Sequence, residues 1–246
     1  VKNSYFYQKS VANIHAKPSS KSEVTSQILY GEKFRVLAKK KGWLKILTNY
    51  DNYSGFIRLT KLISKFEPSH KVYKSKTRIF KKIKNNYFAT KNYLYFASKI
   101  SLKTFDKKFA HFKNNKWIKK KDLKPLNYDE KNFTKILKLF LNSKYLWGGK
   151  TSDGIDCSAL VQIYFHFNNI YFPRDTKDQI TFMRKIKKHK LYKKNILLYW
   201  KGHVAICLNK NLLIHAYGPK KRVIIMKKDK AISEIKRNSN LKLKKI

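Results

Sequence analysis

Tyr145-Leu146-Trp147-Gly148-Gly149-Lys150-Thr151-Ser152-Asp153-Gly154-Ile155-Asp156-Cys157-Ser158-Ala159-Leu160-Val161-Gln162 decides how this chain is read. Glycines and small polar residues spell a loop, and residues 158–167 continue as an apolar and aromatic helix. Asp156 stands where an N-cap stands, because a carboxylate there accepts amide protons that the first turn leaves unpaired. Cys157 therefore falls in the first helical turn. At that position the positive end of the helix dipole and the free N–H groups favour thiolate over thiol, and the same groups can hold an oxyanion on a carbonyl. A lone cysteine at a helix start is ordinarily a small buried apolar residue. The length and specificity of the loop in front of Cys157 select the nucleophile instead.

A nucleophilic thiol needs a base, and the base needs an orienting group. Two of the seven histidines lie in one short pattern, Gly202-His203-Val204-Ala205-Ile206-Cys207-Leu208 and Leu212-Leu213-Ile214-His215-Ala216-Tyr217, split by Asn209-Lys210-Asn211. The pattern predicts a β-hairpin. Strand parity puts His203, Ala205 and Cys207 on one face, and a three-residue loop sets His203 opposite Tyr217. His215 then joins the same face as a diagonal neighbour of His203, close enough for one imidazole to orient another. His15, His70, His111, His166 and His189 lack such a setting. No Cys/His spacing fits a zinc site, and neither a metal nor a cofactor is expected.

Upstream, residues 1–66 read as short strands separated by turns, a small antiparallel β-barrel pattern. Residues 67–127 read as a second, more divergent copy, in which Lys116-Trp117-Ile118 echoes Gly55-Phe56-Ile57. From 128 onward the spacing of Ile136, Leu137, Phe140 and Leu141 turns helical, with Asp129 and Glu130 placed for a helix start. The expected class is α+β: one or two β-barrels followed by a domain in which the Cys157 helix packs on an antiparallel sheet.

Residues 1–66 resemble the bacterial SH3-like modules of cell-wall enzymes, on Ala12-Asn13-Ile14-His15-Ala16-Lys17-Pro18, Tyr30-Gly31-Glu32, Gly42-Trp43-Leu44 and Tyr53-Ser54-Gly55-Phe56-Ile57. The Cys157 loop and helix resemble the signature of the NlpC family of cell-wall cysteine peptidases. That resemblance implies a papain-like catalytic domain with Cys157 as nucleophile, His203 as base and His215 as the third polar residue. Tyr199-Trp200-Lys201-Gly202-His203 looks closest to the branch that cuts γ-D-glutamyl-diaminopimelate bonds in wall fragments with a free N-terminal L-alanine. For that branch the resemblance assigns the free amine to Asp156 and Ser158, and a further contact to Thr176 in Pro173-Arg174-Asp175-Thr176. It assigns Glu32 and Tyr53 of the first SH3-like module to the substrate as well, and Tyr145 to the scissile carbonyl. The chain departs from the family before the base, where Lys194-Asn195-Ile196-Leu197 replaces the usual Gly-Asp turn.

Lys+Arg is 58 against 14 Asp+Glu, a formal net charge of +44. The lysines are scattered through every segment and accompany abundant Asn, Ile, Phe and Tyr, which is compositional bias more than the concentrated stripe of a nucleic-acid binder. A basic surface also draws substrates that carry several carboxylates. Two cysteines make no disulfide framework and fit a reducing compartment. The first residues lack a signal-peptide core, and no apolar run approaches a membrane span. These features give the expectation of a cytoplasmic protein without a membrane partner; a leader ahead of Val1 would make it secreted. The expected function is hydrolysis of peptidoglycan-derived L-Ala-γ-D-Glu-diaminopimelate peptides in recycling. The alternatives are a secreted hydrolase of intact wall and a catalytically idle SH3-like binder of wall polymer or polyanion.

Overall fold

The computed structural model describes residues 4–185 and 197–244; Lys194, Asn195, Ile196 and His189 lie outside them. The chain divides into two compact units, Val1–Asp129 with Phe167–Asn169, and Glu130–His166 with Ile170–Ile246.

In the first unit, six strands form one antiparallel sheet: β1 (Ser4–Phe6), β2 (Val11–His15), β3 (Val24–Leu29), β4 (Lys33–Lys40), β5 (Trp43–Thr48) and β6 (Ser54–Arg58), in the order β1-β4-β5-β6-β2-β3. The alternation legible in the sequence is the reason: Leu44 and Ile46 of β5 point inward and Lys45 outward, as period two requires. They close on Tyr7, Ile14, Ile28, Phe34 and Ile57, all buried.

The same unit continues with β7 (His70–Val72), β8 (Lys76–Ile83), β9 (Asn86–Tyr95), β10 (Lys99–Ile100), β11 (Thr104–Phe105), β12 (Phe109–Lys113), β13 (Lys116–Lys119) and β14 (Leu123–Pro125). These make a three-stranded sheet, β10-β7-β14, and a five-stranded one, β11-β12-β13-β8-β9. Their core holds Val72, Ile79, Leu94, Ile100, Ala110, Phe112 and Ile118, and it takes in Tyr30 from the end of β3. Gly31 makes that insertion possible. Its φ is 78°, and a Cβ there would stand 2.0 Å from the Lys99 carbonyl oxygen, so only glycine allows the approach.

In the second unit, α1 spans Phe133–Lys138 and is capped by Asn132, whose side chain accepts from the Lys135 amide at 3.1 Å. The helix thus starts later than Asp129 and Glu130 suggest: Glu130 instead accepts from the Asn132 amide at 2.9 Å and holds Lys135 at 3.2 Å. A two-stranded ladder, β15 (Lys150–Thr151) with β16 (Gly154–Ile155), leads into α2 (Cys157–Phe167), and α3 follows at Thr176–Lys185. The sheet is β17 (Leu197–Trp200), β18 (His203–Cys207), β19 (Leu212–Tyr217) and β20 (Arg222–Lys227), antiparallel in sequence order, and α4 (Lys228–Ser239) closes the chain. One sheet face gives Ala205, Leu213 and Tyr217 to a core shared with Ala231 and Ile235 of α4. Val204, Ile206, Ile214 and Ala216 of the opposite face are fully buried as well. Among the described residues no helix is long and apolar enough to cross a membrane, and no cluster of three or more His, Cys, Asp or Glu is placed to hold a metal.

Candidate active site

Asp156 organises the loop in front of α2. Its Oδ1 accepts from the Ala159 amide at 2.8 Å, the N-cap bond that ends the loop and starts the helix. Its Oδ2 accepts from the Gly148 amide at 2.9 Å. Arg174 grips both oxygens, at 3.0 and 2.6 Å, and donates to Ser158 Oγ at 2.8 Å, while Ser158 Oγ donates to Asp156 at 3.1 Å. Arg174, Asp156 and Ser158 are all buried, so this is a desolvated bidentate pair. Gly149 turns the loop tightly enough that a Cβ there would meet the Gly154 carbonyl oxygen at 2.3 Å.

The network leaves the Cys157 and Ser158 amides at the mouth of α2, since a helix cannot pair its first N–H groups. The Ser158 and Val204 amides favour the Cys157 thiolate, as does Arg174, but burial dominates and pushes the thiol up to about 12, with Asp156 adding to the rise. The resting group is therefore a thiol. It donates to the Gly202 carbonyl at 3.9 Å. Gly202 and Val204 flank His203, so the backbone on either side of that histidine brackets the sulfur.

The hairpin register runs Ile206↔Ile214 and Cys207↔Leu213, which places His203 opposite Tyr217. His203 Nε2 and His215 Nδ1 lie 3.0 Å apart, and His215 Nε2 lies 3.3 Å from Met226 Sδ. The protons follow from chemistry. A thioether sulfur only accepts, so His215 carries its hydrogen on Nε2. Its Nδ1 then accepts, His203 must donate from Nε2, and His203 Nδ1 is left bare as a base. Tyr217 stacks on His215 with centroids 4.6 Å apart. Burial lowers His203 to about 4 and His215 to about 3, the latter also by the neighbouring His203, so both imidazoles are neutral near pH 7.

Tyr145 is half-buried, and burial followed by the charges of Cys157 and Asp156 raises its phenol, which stays a hydrogen-bond donor. Thr176 opens α3 and is buried. Gln179 of the same helix donates to the carbonyls of Ser158 and Pro173 at 3.0 and 2.9 Å, which ties α3 to the start of α2. Cys207 is a buried strand thiol. Glu32 and Tyr53 belong to the other unit. Glu32 is buried and accepts from the Leu29 amide at 2.8 Å; Tyr53 packs on the first barrel's core. The sequence places Arg174 only within the Pro173-Arg174-Asp175-Thr176 motif, whereas in the fold Arg174 reaches Asp156. Met226 was missed altogether. The signal that would have found it is the parity of β20, since pairing of His215 with Ile224 puts Met226 on the His215 face.

A capped helix that presents Cys157 to a β-hairpin bearing paired histidines defines a papain-like α+β domain, here following SH3-type β-structure. Residues 142–238 match the NlpC/P60 family and residues 10–64 the bacterial SH3 domain, so the chain carries an NlpC/P60 domain preceded by a bacterial SH3 domain. It is 34% identical over 89 residues to a Haemophilus influenzae protein named "Probable endopeptidase NlpC homolog", covering 35% of this chain and 49% of that one. It is 26% identical over 174 residues to the gamma-D-glutamyl-L-lysine dipeptidyl-peptidase of Bacillus subtilis, covering 63% and 57%. The chain thus spans about half the length of these curated relatives. In fold it is similar to the crystal structure of an NlpC/P60 family protein from Bacillus cereus, with a TM-score of 0.76, 19% identity, and coverage of 92% and 94%.

Proposed function

We propose that this protein is a cysteine peptidase that hydrolyses the γ-D-glutamyl-diamino-acid bond of peptidoglycan-derived peptides with a free N-terminal L-alanine. The observation that carries the chemistry is the directed chain His203–His215–Met226 beside the Cys157 helix terminus. The substrate class rests on the relatives' activities. In the first step Cys157 Sγ bonds to the γ-carbonyl carbon of D-glutamate as its proton passes to His203 Nδ1. Amides at the mouth of α2 and the Tyr145 phenol stabilise the oxyanion. His203 returns the proton to the departing amine, the C–N bond breaks, and a thioester remains. The same imidazole then takes a proton from water, which attacks the thioester carbon; the C–S bond breaks, the acid departs, and the imidazolium returns its proton to Cys157 Sγ. Throughout, His215 accepts from His203 and fixes its tautomer, so that it orients the base without itself being protonated.

Recognition of the free amine falls to Ser158, with Thr176 as a further contact. Asp156 takes the role of organiser: it already accepts from Gly148, Ser158, Ala159 and both Arg174 nitrogens, more donors than the roughly four lone-pair positions of a carboxylate. Its charge still contributes to holding an ammonium group. The experiment that tests the reading is hydrolysis of L-alanyl-γ-D-glutamyl-diaminopimelate beside the N-acetylated peptide. Cleavage of the free peptide alone is expected. Equal cleavage of both would instead favour an enzyme acting on intact wall, and cleavage of neither would leave a binding protein.

Two further results follow. Because burial depresses the His203 pKa, the base stays unprotonated as pH falls past the ordinary imidazole value. The acid limb of kcat/KM is expected below about pH 6 and not near 6.5; a limb at or above 6.5 would place the base elsewhere. Met226→Leu keeps the shape but removes the acceptor for His215 Nε2–H. It is expected to lower kcat about 10-fold, the equivalent of about one hydrogen bond, and to mix the His203 and His215 tautomers in ¹⁵N NMR spectra. Unchanged tautomers would show that the sulfur does not set them.

A further inference from the structure

Within the first unit two cavities, about 490 and 780 Å³, share the residues Gln8, Ile63 and Lys113. Each has the volume of a small-molecule site. Tyr30, Phe66 and Phe112 line the smaller one, and their rings meet edge to face around Tyr30. Of the shared residues, Gln8 is the uncharged polar one. Its Oε1 accepts from Lys113 Nζ at 2.9 Å and from the Tyr30 hydroxyl at 3.0 Å. A lysine ammonium can only donate, so the amide cannot be turned the other way, and the remaining Nε2 is a donor. That Nε2 is sealed from solvent and has no hydrogen-bond partner. Gln8 Oε1 thus holds the Lys113 ammonium on the lining that the two cavities share.

The charge on the walls selects the kind of acceptor. Lys65, Lys103 and Lys113 line the smaller cavity, and Lys9, Lys39 and Lys61 extend the basic wall along the larger one, against Glu67 as the acid. The Lys113 ammonium is strained by burial and by the like charges of Lys116 and Lys61. Apolar rings and several ammonium groups along one lining fit a ligand with an organic or apolar body and more than one negative group.

We propose that the paired cavities form an anion-binding groove for a ligand with at least two carboxylate or phosphate groups, one of them seated on Lys113 Nζ, which Gln8 Oε1 holds in place. This site is separate from the Cys157 chemistry and stands without it. It also gives part of the +44 charge a local purpose.

The test is isothermal titration of the whole chain with tripolyphosphate and, separately, citrate, at about 0.15 M salt, where the screening length is about 8 Å and diffuse attraction fades. Comparing the two probes distinguishes a phosphate source from a carboxylate source. Saturable one-to-one binding of at least one probe is expected. Lys113→Gln and Gln8→Leu are each expected to weaken it about 10-fold or more, on the scale of one charge-assisted hydrogen bond. Lys45→Gln, on an exposed position of β5, is expected to leave it unchanged. Equal weakening by all three substitutions would mean diffuse charge alone and overturn the proposal, as would no saturable binding of either anion. If Gln8→Leu fails to fold, Lys103→Gln replaces it, with a loss of affinity expected and an unchanged affinity counting against the groove. Peptide hydrolysis by Lys113→Gln is expected at the wild-type rate, which separates this site from the proposed peptidase activity.

Discussion

Cys157→Ala is expected to abolish hydrolysis of L-alanyl-γ-D-glutamyl-diaminopimelate, with at least a 10⁴-fold fall in kcat, the scale on which losing a nucleophile acts. The protein should remain folded. Cys157 sits at the first helical position, and the helix is held by Asp156 and not by the sulfur. Peptide binding should also persist, because the proposed contacts to substrate lie on Ser158, Thr176 and Tyr145. Steady-state kinetics paired with titration of the inactive variant reads both halves of the claim. A Cys157→Ala protein that retained activity would move the chemistry to another group.

The second large effect is on stability. Asp156→Ala leaves the Arg174 guanidinium buried with no carboxylate, and at the same time removes the α2 cap and the anchor of Gly148. A buried ion pair broken from one side costs about 3–5 kcal/mol, and the lost cap adds about 1 kcal/mol. The urea midpoint of the second unit is expected to fall accordingly, with peptidase activity lost because Cys157 is no longer positioned. Replacing Asp156 and Arg174 together with apolar residues should recover part of the stability and none of the activity, since it removes the unpaired charge but not the need for a cap. A change under about 1 kcal/mol for Asp156→Ala would show that the network does not organise the loop.

The hairpin was readable from the sequence because strand parity is a local rule. Once Asn209-Lys210-Asn211 is taken as the loop, His203, His215 and Tyr217 fall on one face, and the register agrees. The Asp156 cap was readable for the same reason, since capping acts across three residues. Arg174 and Met226 were not. Arg174 approaches Asp156 from a different segment, 18 positions away, a separation that no local rule spans. Met226 depends on the register of a second strand pair, β19 with β20, whose turn the sequence reading did not assign. Helix α1 starts later than its acidic residues suggest because Asn132 caps it and Glu130 turns back to the Asn132 amide. In the first unit the alternation of β5 was legible, but the insertion of Tyr30 into a neighbouring core was not, because Gly31 reads in sequence as an ordinary turn glycine.

The most direct test of the central claim is to mix the protein with the γ-D-glutamyl peptide, quench in acid within the first turnovers, and locate any covalent adduct by mass spectrometry. The L-alanyl-γ-D-glutamyl group is expected on Cys157 as a thioester, with Cys207 unmodified. Turnover without an adduct on Cys157, or an adduct on Cys207, would contradict it.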